Sequence, residues 1–131
     1  MSSISRESKK DRGIFRLRKS FKYASDGLRE AYKNEQTVWI YIPVALLVIA
    51  ASIFFKLSII EWAIVILILG IIYGLELINT AIECTVDLAT KEYDPLAKRA
   101  KDTVSAAVLV FAITSVIVGL LIFVPKIIEM L

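Results

Sequence analysis

The sequence predicts an all-α membrane protein: an amphipathic helix on the membrane surface followed by three helices that cross it. Three observations lead there. Of the 131 residues, 57% are hydrophobic, and the mean hydropathy of +0.69 points away from a soluble globular domain. The apolar residues gather in three runs of roughly the 20 residues a bilayer requires. Basic residues crowd ahead of the first run, as they do on the cytoplasmic side of membrane proteins.

A single domain covering residues 1–131 fits this length, because no Gly/Ser or Pro-rich linker divides the chain and no internal repeat is evident. One cysteine, Cys84, and no histidine exclude a disulfide framework and a His/Cys zinc site within one chain, and Cys84 reads as a small packing residue. The N-terminus lacks a short apolar core with a small-residue cleavage site, so no removable signal peptide is expected.

Residues 1–12 are polar and without periodicity and read as a mobile tail. Over 13–34, Ile14, Leu17, Phe21, Ala24, Leu28, Ala31 and Tyr32 recur at helical spacing, while Arg16, Arg18, Lys19, Lys22, Arg29 and Lys33 fill the rest of the circumference. That is the pattern of a basic helix lying on a membrane. The run 37–55 is apolar apart from Pro43 and Ser52 and forms the first span. A very short turn follows, with Lys56 and Glu61 as its charges and Trp62 at interfacial height.

The second span covers 59–87. Gly70 and Gly74 make a small-xxx-small pair that would admit a close helix neighbour. After the polar loop that includes Glu92 and Tyr93, Asp94-Pro95 supplies an N-cap followed by proline at the first helical position. The third span lies within 95–125, with Pro125, Lys126 and Glu129 marking its far end.

Of the 16 lysines and arginines, ten precede the first span and four lie in 88–102, which puts the N-terminus and that loop in the cytoplasm of a multi-pass protein of the cell inner (plasma) membrane. ATP and Mg²⁺ are on that side. No nucleic-acid partner is expected.

The second span carries an unusual polar stripe. Glu76, Asn79, Glu83 and Asp87 fall within an arc of roughly 80° on one face, and ionisable groups at membrane depth are costly and commonly functional. Counted inward from Trp62, Glu76 lies roughly 21 Å down and Glu83 roughly 31 Å down, near the headgroups. The missing histidine excludes Ser/His/Asp and Cys/His catalysis, and no GxxxxGK[ST] or GxGxxG loop is present. What remains is carboxylate chemistry. Mg²⁺ takes one or two carboxylates together with nucleotide phosphates, and Glu35 and Glu83 stand at the right height. Glu76, in low-dielectric surroundings where a lipid alcohol would present its hydroxyl, suits a general base. Asn79 can orient either group, and Lys101, Arg16 and the loop donors can steady phosphate oxygens.

Simpler roles compete with each of these. A buried carboxylate can be an interhelical tie, Asp87 a solvated helix end, the basic residues of 13–34 lipid-headgroup anchors, and Lys98 with Asp102 an i,i+4 pair.

The runs ELINTAIECTVDL and DPLAKRAKDTVSAAVL, with GLREAYKNE ahead of the first span, closely resemble the small prokaryotic membrane lipid kinases, the diacylglycerol kinase and undecaprenol kinase family. The resemblance covers almost the whole chain from Arg16 onward. It implies a homotrimeric bundle that uses MgATP to phosphorylate a lipid alcohol. By position it makes Glu76 the catalytic base and Glu35 with Glu83 the metal carboxylates. Arg16, Tyr23, Glu92, Tyr93, Asp94, Lys101 and Asp102 match nucleotide-contact positions, Asn79 and Asp87 polar active-site positions, and Ser105 a lipid-side contact. The IIEW turn, TVDL, DPLAK and GLLIFVPKI look more like the undecaprenol kinase branch, whereas GLREAYKNE and the serine of TVSAAV look more like the diacylglycerol kinase branch.

The expected activity is therefore ATP-dependent phosphorylation of undecaprenol or diacylglycerol. The alternatives are an ion- or proton-conducting component that uses the stripe as a relay, and a non-catalytic membrane subunit. A relay would need carboxylates across the whole membrane, yet 63–73 has none.

Overall fold

The computed structural model describes the backbone of residues 3–131 and the side chains of 11–131. The described residues form four helices, and the chain divides into two compact units, Met1–Val38 and Trp39–Leu131.

Within the first unit, α1 runs Ser3–Asn34. It begins ten residues before the expected start at 13, so residues 3–12 are helical rather than a tail without structure. The sequence permits this, because Arg, Glu and Lys are good helix formers and no glycine or proline intervenes before Gly13. Ile14, Leu17, Phe21 and Leu28 are exposed, giving the helix the apolar side its periodicity predicts. Lys19 sits over the Phe15 ring at 4.7 Å. Glu35 breaks the helical run while its N–H still bonds the Ala31 carbonyl at 2.9 Å.

α2, Gln36–Phe54, belongs from Trp39 onward to the second unit and keeps Pro43 in its interior. Its end is closed by a Schellman motif: Leu57 N–H bonds Ser52 O at 3.2 Å and Lys56 N–H bonds Ile53 O at 3.1 Å. Lys56 takes the left-handed position, φ 51°, that glycine usually fills. α3, Ile59–Ala89, starts in a capping box in which Glu61 N–H donates to Ser58 Oγ and Ser58 N–H donates to Glu61 Oε2 at 2.8 Å. The same carboxylate meets Lys126 Nζ at 3.1 Å, tying the start of α3 to the last turns of α4.

α4, Pro95–Met130, is capped by Asp94, whose Oδ1 accepts from Leu96 N–H at 2.7 Å and Ala97 N–H at 3.2 Å. It continues past Pro125, five residues beyond the expected end at 125. Proline removes one i→i−4 bond but its fixed φ is helical, so the chain carries on.

Leu57, Val65 and Ile122 form the buried cluster, packed by Val48, Phe55, Trp62, Leu69, Val118 and Phe123. The Phe55 and Phe123 rings meet edge to face with centroids 5.9 Å apart. Trp62 packs on this cluster. Cys84 is exposed and not a packing residue. A Cβ at Gly70 or Gly74 would meet nothing within 4 Å, so the close neighbour expected there is absent among the described residues.

Residues such as Leu46, Leu47, Leu67, Val110, Val116 and Leu121 remain exposed on α2, α3 and α4. These three helices are long and apolar enough to cross a membrane, and at most 11% of each apolar window is buried. Outward-facing aliphatic side chains on that scale suit hydrocarbon as the surrounding solvent.

Candidate functional site

The polar stripe of α3 faces inward at one end and reaches solvent at the other. Glu76 is buried, 6% exposed, although it sits in a helix of aliphatic residues. A carboxylate withdrawn from water is costly unless it is paired. The Tyr41 phenol, on α2, lies within reach of its charge. One turn further on, Asn79 Nδ2 donates to Glu83 Oε1 at 3.2 Å, while Asn79 Oδ1 is buried with no partner among the described residues.

Beyond Glu83 the stripe joins α4. Lys101 Nζ bonds Asp87 Oδ1 at 2.5 Å, and the Glu83 charge also acts on the same ammonium. Asp87 is thus an interhelical partner rather than a freely solvated helix end. Lys98 pairs with Asp102, the simpler role foreseen for both. The loop between α3 and α4 is held by Thr90: its N–H caps α3 on Val86 O at 3.0 Å and its Oγ1 accepts from Glu92 N–H at 3.2 Å. Tyr93 is 81% exposed there. Tyr93, Pro95, Lys98, Arg99, Asp102 and Thr103 border an open hollow of about 450 Å³.

A second, larger space serves the buried end of the stripe. An apolar groove of about 810 Å³ runs between α2, α3 and α4, from Tyr41 and Tyr73 to Ile122 and Phe123. Gly70 and Gly119 line it, and their missing side chains widen it. Ser115 is among its few polar residues, and its hydroxyl is already used on Phe111 O of its own helix at 2.8 Å. Ile72 and Tyr73 line this groove, and Glu76 follows about one turn later on α3, so the buried carboxylate lies just beyond the groove's α3 wall. Sequence reasoning missed Tyr41, because a lone tyrosine near the end of an apolar span reads as an interfacial anchor.

The second unit therefore brings together Tyr41, Glu76, Asn79, Glu83, Asp87 and Lys101. Glu92, Tyr93, Asp94 and Asp102 lie around the start of α4, with Asp94 committed to the cap. Ser105 is exposed on α4, one turn beyond Lys101. Arg16, Tyr23 and Glu35 belong to the first unit. There Arg16 and Tyr23 are exposed two turns apart on α1, and Glu35 is half-buried at its end.

Among the described residues, no three Asp, Glu or Cys side chains converge as a metal cage. One or two carboxylates completed by phosphate oxygens and water is the usual Mg²⁺ arrangement, and Glu83, partly exposed and oriented by Asn79, fits that role.

The family profile described as prokaryotic diacylglycerol kinase matches residues 22–123. The chain is 48% identical over 111 residues to the undecaprenol kinase of Bacillus subtilis, covering 85% of this chain and 90% of that one. It is 38% identical over 101 residues to a diacylglycerol kinase of Helicobacter pylori (77% and 79% covered) and 34% identical over 105 residues to that of Escherichia coli (80% and 86%). With a buried carboxylate beside an apolar groove and a matched segment that includes the whole α3 stripe, this chain belongs to the prokaryotic diacylglycerol kinase family of multi-pass membrane lipid kinases.

Proposed function

We propose that this kinase moves the γ-phosphoryl group of ATP onto the hydroxyl of undecaprenol at the cytoplasmic membrane face, giving undecaprenyl phosphate. The observation that carries the reading is Glu76: a buried carboxylate about one turn beyond the Ile72 and Tyr73 wall of an apolar groove, in which a lipid tail can lie with its hydroxyl toward the carboxylate. Glu76 takes the hydroxyl proton, the alkoxide oxygen bonds to the γ-phosphorus, and the bond to the β-phosphate oxygen breaks to release ADP.

Lys101 steadies phosphate oxygens from beside Asp87 and Glu83. Arg16, Tyr23, Glu92, Tyr93 and Asp102 contact the nucleotide, and Ser105 the lipid. Glu35 and Glu83 would hold Mg²⁺, which when bound offsets phosphate charge. The exposed apolar faces of α2, α3 and α4 support a homotrimer in the bilayer, with the N-terminus and the α3–α4 loop cytoplasmic as the basic residues favour.

Diacylglycerol is the second acceptor, favoured by the 38% identity to a diacylglycerol kinase. The test offers undecaprenol and diacylglycerol side by side in mixed micelles with labelled ATP and follows label into extracted lipid. Faster labelling of undecaprenol is expected, and preferential labelling of diacylglycerol overturns the assignment of the lipid. Glu76→Gln should lose at least about 100-fold of the activity, and full activity in the folded variant overturns the base.

A further inference from the structure

Two ion pairs fix the register of α3 against α4. Asp87 meets Lys101 at one end and Glu61 meets Lys126 at the other, so the helices run antiparallel. Counting back from Asp87 and forward from Lys101 brings Gly70 and Gly119 within one residue of the same level. Both line the groove, one from α3 and one from α4, and a Cβ on either would meet nothing within 4 Å. The groove is therefore widened from two walls at one depth. At about 1.5 Å per residue that depth is roughly 9 Å from Glu76 along α3, a few carbons past the point where an acceptor hydroxyl would sit.

We infer that Gly70 and Gly119 determine which tail the groove accepts, by leaving room for the methyl branches of a polyprenyl chain. The inference rests on the reading of the groove as the site of the acceptor's tail. A polyprenyl chain carries a methyl branch on every isoprene unit, whereas a straight acyl chain carries none. An acyl chain lying at this level leaves the space beside the glycines unfilled and forfeits the contacts a branch makes there. Gly74 has the same open space but is not part of the groove wall, so it lacks this role.

Gly70→Leu and Gly119→Leu fill the widening, Gly119→Ala fills it in part, and Gly74→Leu adds the same bulk outside it. Leucine and alanine are better helix formers than glycine, so α3 and α4 are retained. The full chain is assayed in mixed micelles with labelled ATP, on undecaprenol and on diacylglycerol separately. The undecaprenol-to-diacylglycerol ratio of kcat/KM should fall about tenfold in Gly70→Leu and Gly119→Leu, and less in Gly119→Ala. It should stay within about twofold in Gly74→Leu, and KM for ATP within about twofold in all four. An unmoved ratio, an equal loss on both lipids, or an equal shift in Gly74→Leu overturns the role. An equal loss accompanied by a smaller particle in detergent assigns the space to a second copy of the chain, which also overturns it. The wild-type preference tests the proposed acceptor and the change in ratio tests the glycines, so either can fail alone.

Discussion

Asn79 donates its side-chain amide to Glu83 Oε1 at 3.2 Å along one face of α3, and its own carbonyl oxygen is left buried and unpaired among the described residues. One end of the asparagine side chain is therefore committed and the other is open. Its nitrogen orients the carboxylate proposed to hold Mg²⁺, and its oxygen waits for a donor. Leaving a buried acceptor unpaired costs free energy unless a ligand satisfies it.

Asn79→Ala removes the support that orients Glu83. The Mg²⁺ concentration for half-maximal activity should rise about tenfold, in the range typical of lost support around a metal ligand, and kcat should fall as well. Activity titrated against Mg²⁺ at fixed ATP checks this, and an unmoved Mg²⁺ midpoint would count against Glu83 as a ligand.

Lys101 bonds Asp87 and also feels the Glu83 charge. Removing it takes away the cation proposed to steady the phosphate oxygens and leaves both carboxylates to repel them. Lys101→Ala is expected to raise the ATP KM by about tenfold or more and to lower kcat, whereas Asp87→Asn, which keeps the lysine, should stay within about threefold. Steady-state kinetics in ATP separates the two variants.

Lys56 occupies the left-handed C′ position of the Schellman motif that ends α2. A side chain there costs what glycine avoids, so Lys56→Gly should stabilise the fold by about 0.5–1 kcal/mol, partly offset by greater freedom in the unfolded chain. Thermal unfolding in detergent should show a higher midpoint, with lipid phosphorylation unchanged.

Asp94 serves as the N-cap of α4 through two backbone N–H groups. Asp94→Ala should cost about 1 kcal/mol of stability, and Asp94→Ser, which can still cap, should recover most of it. Denaturation in mixed micelles reads this directly. Any rise in ATP KM that persists in Asp94→Ser then reports a nucleotide contact separate from the cap.

Much of this architecture was legible because membrane helices announce themselves locally. Three apolar runs, Asp94-Pro95 and the spacing of Glu76, Asn79, Glu83 and Asp87 all lie within single segments, and each is where its pattern puts it. The ends that moved have local causes: residues 3–12 are good helix formers without an apolar face, and Pro125 disturbs a helix without ending it.

What periodicity could not supply was pairing between segments. Lys101 on Asp87 and Lys126 on Glu61 each join residues far apart in the chain. Gly70 and Gly74 have open space beside them within the chain, and Gly70 lines the groove.

The groove between α2, α3 and α4 carries a thermodynamic consequence. A lipid that enters it from the bilayer exchanges one hydrocarbon environment for another, so the expulsion of water from apolar surface, which drives most binding in solution, contributes almost nothing. Choice among membrane alcohols must then come from shape, from chain order and from the few polar contacts at the hydroxyl. Affinity for the acceptor should accordingly respond to the composition and thickness of the host membrane as strongly as to the acceptor itself.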